Sequence, residues 1–283
     1  MKLNKTQIAV ISGALILIVL LLLANTKLLP KEEAKVSEHA SRNSLAFTNM
    51  VKTAVDGLSA EQKKVNQKLE DAIKSSSDKK VAFENMINMW DSLNRPAVAA
   101  YYMEQAALAS PIESNWLQAG NRYYAATRFV EEPDRPVLFG RAMDCFEHVL
   151  ELNPKNVDAK MNLASCYVEG SSEPMKGIGM LKELEKTDSN NVNLQLNFAF
   201  FSEKSGQWEK AIPRFEKVLK IQPDFIEAYL HLADAYQQLG KTDKAIESLE
   251  KYKTAVDDVT IKAEVQEYIN KLTKGEIPGQ NSK

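Results

Sequence analysis

The sequence contains few of the residues that build most catalytic and metal sites. Among its 283 residues are three histidines and two cysteines. The histidines, His39, His148 and His231, lie far apart, and none forms an i, i+4 pair with another metal-binding residue. No zinc-ligand spacing, phosphate-binding loop or nucleophile elbow occurs. These absences predict a protein that is not an enzyme, has no catalytic residue, and binds neither a metal nor a cofactor.

The charge pattern excludes a further class of function. The formal net charge is -2, and no block of Lys and Arg with interleaved aromatic residues occurs. A nucleic-acid-binding surface needs clustered positive charge that can neutralise phosphates. We therefore expect no nucleic-acid partner.

Long apolar runs are also absent, with one exception near the amino terminus. The seventeen residues from Ile8 to Ala24 carry no charge and would span roughly 25 Å as a helix. Flanked by Lys5 and Lys27, this run predicts a single transmembrane helix over residues 8–24. A cleaved signal peptide is the alternative, and a bacterial lipoprotein anchor is excluded because no cysteine follows the run directly.

The short leader before this segment predicts its orientation. A seven-residue leader that cannot fold most simply stays in the cytoplasm, which leaves the rest of the chain on the other side. In a bacterium, the expected location is the inner membrane, with a cytoplasmic amino terminus and a periplasmic carboxy-terminal region. Residues 1–29 are thus the expected leader and anchor.

Most of the remaining sequence is repetitive, and two copies of the repeat are clear. They run from Val192 to Phe225 and from Ile226 to Val259. Aligned from their first residues, these copies share small residues where two helices would touch and a glycine where the first helix would end. The matched pairs are Ala199 with Ala233, Gly206 with Gly240, and Ala211 with Ala245. This pattern resembles the tetratricopeptide repeat, a helical hairpin of about 34 residues.

The same spacing identifies three weaker copies upstream. The five copies start at residues 80, 113, 157, 192 and 226, and a polar helix over residues 260–272 is expected to cap the last one. In the second copy, about ten extra residues within 128–140, broken by Pro133 and Pro136, are expected to separate the two helices. The resemblance implies an all-α fold over residues 80–273: a right-handed solenoid of about five hairpins, preceded by the single transmembrane helix.

The segments on either side of the repeats are less distinctive. Residues 30–79 form a juxtamembrane segment with helical spacing, expected as two amphipathic helices broken near residues 57–59. These helices are candidates for a stalk, a cap on the first repeat or a homo-oligomer contact. Residues 274–283 are expected to form a flexible tail.

The two cysteines fall on neighbouring helices of this arrangement. Cys145 is expected on the second helix of one repeat and Cys166 on the first helix of the next. Outside the cytoplasm a disulfide between them is chemically allowed. Separate burial as two small hydrophobic residues is the alternative, and the sequence leaves both open.

The first helices carry the candidate binding residues. The sixth position of each copy can both donate and accept hydrogen bonds, as holding an extended peptide backbone requires. These positions are Asn85, Gln118, Asn162, Asn197 and His231. They resemble the asparagine ladder of peptide-binding repeat proteins, which would line a concave groove. Asn121, Phe200, Glu203 and Asp234 complete the candidate groove residues.

The chemistry of this groove predicts its partners. Asn121 and Asn162 match the asparagines of the carboxylate clamp in chaperone-docking repeats, but Leu117, Asn193 and Asn197 replace its basic residues. An apolar groove with acidic edges instead suits extended or unfolded polypeptide, as in an envelope chaperone or a translocon-associated protein. The alternative is a structural assembly factor or scaffold for a fixed membrane complex, such as one for envelope or cytochrome biogenesis.

Overall fold

The computed structural model describes residues 45–76, 78–132 and 134–276, and within these ranges the chain is helical with no β-strand. The expected membrane helix over residues 8–24 lies outside the described residues, as do residues 30–44 and 277–283 of the flanking segments. No helix among the described residues is both long enough and apolar enough to cross a bilayer.

The chain divides into two compact units, Met1–Gln67 and Lys68–Lys283. The described part of the first unit contains helix α1 (residues 45–56) and the start of α2 (Ala60–Ser75). The described part of the second unit contains the rest of α2, five helix pairs and a final single helix. They are α3 (Lys79–Ser92) with α4 (Pro96–Ala109), α5 (Glu113–Ala126) with α6 (Asp134–Leu152), α7 (Val157–Gly170) with α8 (Pro174–Thr187), α9 (Val192–Lys204) with α10 (Trp208–Ile221), α11 (Ala228–Gln238) with α12 (Thr242–Ala255), and α13 (Val259–Thr273).

Local signals fix where these helices begin and end. The side chains of Asn156 and Asn191 cap α7 and α9 by accepting hydrogen bonds from the backbone N–H three residues later. At the other end, Gly206 and Gly240 follow α9 and α11 with φ angles of +69° and +68°. Glycine adopts this left-handed conformation without steric cost, so the chain turns sharply into the second helix of each pair.

The core of the second unit is a series of clusters, each joining one pair to the next. Ala199, Ala211 and Phe215 of the fourth pair pack with Ala228 and Leu232 of the fifth. A similar cluster joins the third and fourth pairs through Ala164, Leu181, Leu194 and Phe198, among others. The final helix α13 covers the fifth pair, because Ile269 and Leu272 pack on Ala233 and Leu249. Each pair is thus buried mainly by its neighbours in sequence, as in a repeat array.

The second pair departs from the expected long connection. Only residues 130–132 lack helical structure among the described residues between the 3₁₀ turn Thr127–Phe129 and α6, which begins at Asp134. The prediction of a broken stretch through residue 140 was therefore wrong. Pro136 does not break α6 because it lies in the first turn, where a helix needs no backbone donor. Most of the additional residues lengthen α6, which has 19 residues.

The two cysteines do not form a disulfide. Cys145 on α6 and Cys166 on α7 are both free and fully buried. Burial raises the pKa of each thiol well above its ordinary value, because a thiolate is poorly solvated in an apolar core. Both residues therefore serve as small apolar side chains at the contact between the second and third pairs.

Candidate functional site

All nine candidate groove residues lie on the first helices of their pairs. Asn85 is on α3, Gln118 and Asn121 are on α5, and Asn162 is on α7. The remaining five lie on two successive first helices, Asn197, Phe200 and Glu203 on α9 and His231 and Asp234 on α11. None of the nine is fully buried. The first helices therefore present a shared surface, called here the first-helix face.

Three of the five ladder residues interact with the neighbouring first helix. The Asn162 Nδ2 group donates to the Asn121 Oδ1 atom at 2.8 Å, which joins α7 to α5. The Ser165 hydroxyl lies 3.4 Å from the Asn197 Oδ1 atom and also donates to the Met161 carbonyl oxygen at 3.0 Å. These contacts use part of the hydrogen-bonding capacity that a bound peptide would need.

His231 is held by both a carboxylate and aromatic rings. Its Nδ1 atom lies 3.3 Å from the Glu203 carboxylate of the preceding first helix. Its ring stacks on Phe215 with a centroid distance of 4.8 Å and an interplanar angle of 7°. Phe200 meets the same imidazole edge-on at 5.1 Å. The structure thus brings Phe200, Glu203 and His231 together in one group on the first-helix face.

Asn85 and Gln118 differ from the other ladder residues. Both side chains are exposed, and neither forms a hydrogen bond with a described residue. Because no neighbour uses their amides, they keep the full donor and acceptor capacity of a primary amide. The ladder is therefore not one continuous row of hydrogen bonds.

Asp234 lies at a cavity at the end of the first-helix face. The cavity has a volume of about 300 Å³ and lies between α11, α12 and the final helix α13. Its apolar part comes from Leu230, Ala233, Leu249 and Val265, and its polar part from Asp234, Gln237, Glu264 and Tyr268. The Tyr268 hydroxyl donates to the Gln237 Oε1 atom at 2.7 Å, which links α13 to α11. An apolar floor beside two carboxylates suits an apolar segment that carries a cation.

A polar network that sequence reasoning missed crosses three first helices. The Tyr124 hydroxyl on α5 donates to the Glu169 carboxylate on α7. The same carboxylate accepts from the Lys204 Nζ group on α9 at 2.9 Å. Burial and the bond to Glu169 raise the pKa of Tyr124 above its ordinary value. The available signal was the opposite charge of Glu169 and Lys204, which occupy the same position in consecutive copies.

Within the described residues, no three metal-binding side chains come close enough to share an ion. The chemistry of the first-helix face is therefore that of amides, carboxylates and partly exposed apolar side chains. Such groups bind by hydrogen bonds, charge and apolar contact.

A comparison with known families agrees with this arrangement. A tetratricopeptide repeat model matches residues 202–259, which contain the end of α9, all of α10–α12 and the connections between them. Over these residues the chain is thus similar to tetratricopeptide repeat (TPR) proteins. The prediction of the family is thereby confirmed.

One solved structure supports the same fold. A TPR protein from Parabacteroides merdae matches 83% of this chain and 88% of its own, with 14% identity and a TM-score of 0.53. Two others have lower scores: YrrB, a TPR protein with an unusual peptide-binding site, at 0.43 with 19% identity, and MamA from Desulfovibrio magneticus at 0.47 with 17% identity. They cover 70% and 63% of this chain, and 97% and 96% of their own. No curated protein sequence matches the chain.

Proposed function

We propose that this TPR protein binds extended or unfolded polypeptide along its first-helix face. The observation that carries the proposal is the cavity of about 300 Å³, where Leu230, Ala233 and Val265 form an apolar floor beside Asp234 and Glu264. An unfolded chain offers apolar side chains together with unpaired backbone groups, and basic segments add positive charge. The cavity complements the apolar and basic parts.

The rest of the first-helix face supports the same ligand. Phe200 and Leu230 remain 38% and 37% exposed, so both side chains can contact a ligand. The unused amides of Asn85 and Gln118 can pair with the backbone of any sequence, because backbone N–H and C=O groups are common to all peptides. Binding of this kind depends on chain extension more than on sequence.

The proposal includes the position of the protein in the cell. The uncharged run over residues 8–24 anchors the chain in a bacterial inner membrane, and the TPR unit lies in the periplasm. There the protein holds exported chains, as an envelope chaperone or beside the translocon, and performs no catalysis. Protease added to spheroplasts should digest the TPR unit, whereas protection of the unit while a periplasmic control is cut would refute this orientation.

A matched pair of variants tests the binding proposal. Asp234→Asn removes a carboxylate at the cavity, and Asp224→Asn removes an exposed carboxylate of the connection before α11 that does not line the cavity. Binding of fluorescent peptides to the full-length protein is measured by anisotropy. Asp234→Asn should weaken binding of a basic apolar peptide about two- to fivefold, the range of an exposed ion pair.

Controls separate charge from packing. Added salt should remove the Asp234→Asn effect because it screens exposed charges. Asp224→Asn should bind like the wild type, and Leu230→Ala should weaken binding of basic and neutral peptides alike. Equal affinity of the wild type and all three variants would exclude this cavity as a peptide site.

One observation favours a second candidate, a structural assembly factor. Asn162, Asn197 and His231 already contact Asn121, Ser165 and Glu203 inside the array, which makes them stabilisers of repeat packing. If the protein is an assembly factor, its partner binds outside the first-helix face. One example is the amphipathic helices of the first unit, where Leu45 and Val65 are 65% and 49% exposed. These helices are also the proposed contact of a homo-oligomer.

Two ladder variants distinguish the candidates. Asn85→Ala with Gln118→Ala removes amides that no described residue uses, whereas Asn162→Ala removes an amide that joins two repeats. If the first-helix face holds peptide, the double variant should bind peptides more weakly at unchanged stability. If the protein is an assembly factor, the double variant should bind peptides like the wild type. One stoichiometric partner should then co-purify with the protein, and substitutions in the helices before Ser76 should abolish that association.

A further inference from the structure

The connection between α5 and α6 forms a second pocket, separate from the nine candidate groove residues. Its volume is about 340 Å³. We propose that it binds a carboxylate carried beside an apolar group of a peptide. The lining residues come from the connection, from the start of α6 and from the ends of α7 and α9. They are Thr127, Arg128, Glu132, Arg135, Pro136, Phe139, Glu169, Gly170 and Lys204.

Three cations reach this pocket, and they differ in how they are held. The Arg135 side chain is fixed by the loop, because its Nε and Nη2 groups donate to the carbonyl oxygens of Thr127 and Val130 at 3.2 and 3.1 Å. Lys204 is held at 2.9 Å by Glu169, which in turn accepts from Tyr124. Two of the three cations are therefore already engaged by other groups of the protein.

Arg128 is the cation that remains available. It is exposed, and it forms no hydrogen bond or ion pair with a described residue. Its guanidinium can donate two parallel hydrogen bonds to one carboxylate, the strongest common geometry for this pair. Arg128 is thus the primary ligand-binding residue of the proposed site, because Arg135 and Lys204 already pair with Glu132 and Glu169.

The balance of charge selects a monoanion. Arg128, Arg135 and Lys204 contribute three positive charges, and Glu132 and Glu169 contribute two negative charges. The Arg135 Nη1 atom lies 3.8 Å from the Glu132 carboxylate, so part of its charge is already compensated. One positive charge remains, which a carboxylate neutralises. A phosphate dianion would exceed it and would also meet the two glutamates.

The floor of the pocket explains the apolar part of the ligand. Phe139 packs edge-on against Tyr124 with a centroid distance of 5.8 Å. At Gly170, a Cβ atom would collide with the Phe139 ring, so a glycine lets α7 approach α6 at this point. Phe139, Pro136 and Gly170 are the uncharged, apolar part of the pocket lining. A carboxylate next to an apolar side chain matches both parts of the pocket.

Peptides with matched ends test the proposal on the full-length protein. The first peptide ends in Leu with a free carboxylate, the second is the same peptide amidated, and a third is amidated but carries an internal Glu beside Leu. Binding of the free acid should weaken about fivefold or more in Arg128→Ala, as expected for a charged hydrogen-bonded pair. Arg95→Ala is the matched control, because Arg95 is exposed and its side chain has no described partner.

The outcomes identify the source of the carboxylate. Loss of affinity on amidation assigns the site to a chain terminus, and recovery with the internal Glu assigns it to an acidic side chain. Equal binding of all three peptides, or equal loss in Arg128→Ala and Arg95→Ala, overturns the proposal. A negative result at this pocket would not contradict peptide binding on the first-helix face. That face is tested by Asp234→Asn, which should not change binding at this pocket.

Discussion

At the scale of single residues, two glycines on α8 have opposite environments although one residue separates them. A Cβ atom at Gly177 would overlap the backbone carbonyl oxygen of Ala164 on the partner helix and lie 2.8 Å from Val168. At Gly179, nothing lies within 4 Å of the same position. Gly177 therefore sets the distance between α7 and α8, whereas Gly179 has no packing role.

This difference predicts opposite effects of one substitution. Gly177→Ala should lower the free energy of unfolding by about 1–3 kcal/mol, since the added methyl group forces the two helices apart. Gly179→Ala should raise it by about 0.4–1 kcal/mol, because alanine restricts the unfolded chain and fits the helix. Urea denaturation measures both. Equal effects of the two variants would contradict the close approach of α7 and α8.

At the scale of helices, a buried polar group joins the third and fourth repeats. Gln195 on α9 is fully buried, and its Nε2 group donates to the Ser189 carbonyl oxygen at 2.7 Å and to Glu185 on α8 at 3.2 Å. Arg214 on α10 donates to the Gln195 Oε1 atom at 2.8 Å and also pairs with Glu185. The hydrogen bond from Arg214 lowers the pKa of Glu185 below its ordinary value of 4.5. Three helices thus share one hydrogen-bonded group.

The lowered pKa predicts how stability depends on pH. Because the folded pKa lies below the unfolded one, the contribution of Glu185 to stability is complete above pH 4.5 and is lost as the pH falls through the folded pKa. Glu185→Gln should therefore be less stable than wild type at neutral pH, and the gap should narrow in acid. Urea denaturation from pH 7 to pH 3, at roughly one-unit steps, checks this.

A control from the same helix completes that experiment. Glu183 is exposed and pairs with Lys186 across one turn. An exposed pair of this kind contributes little to stability, so Glu183→Gln should leave the pH profile of wild type almost unchanged. If Glu185→Gln and Glu183→Gln gave the same profile, the pair with Arg214 would have no role in acid stability.

At the scale of the whole molecule, the array is stabilised between neighbours and ends in a covering helix. The clusters of apolar residues each join consecutive pairs, and α13 completes the last one. Without α13, the apolar surfaces of Ala233 and Leu249 would face water. The same helix forms one wall of the cavity at the end of the first-helix face, so stability and binding depend on it together.

Truncation tests this dependence. A chain that ends at Asp258 should lose about 3 kcal/mol or more of unfolding free energy, from the lost burial of Ile269 and Leu272. It should also bind a dye for exposed apolar surface and lose affinity for basic apolar peptides. A chain that ends at Glu276 is the control and should match the full-length protein. An unchanged midpoint in the shorter chain would show that α13 does not stabilise the array.

The all-α fold of the described residues and the resemblance to the tetratricopeptide repeat could be predicted from the sequence. The reason is that both depend on local periodicity, such as the alanines Ala199 and Ala233 at helix contacts and the glycines Gly206 and Gly240 at turns. The length of the connection between α5 and α6 could not be predicted, because Pro136 is compatible with either a loop or the first turn of a helix. In the structure Pro136 lies in the first turn of α6, and Phe139 of the same helix packs on Tyr124 and Gly170.

The candidate site, too, could be predicted only in part from the sequence. Sequence alone placed the ladder residues on the first helices, because a fixed position in a repeat returns to the same face. Only the tertiary structure decided which of them are occupied, as with Asn162 on Asn121, and which remain available, as with Asn85. It also brought Arg128 and Lys204 to one pocket from positions 76 residues apart in sequence. Repeats encode which face a residue occupies, whereas hydrogen-bond partners depend on distances between helices that no local pattern specifies.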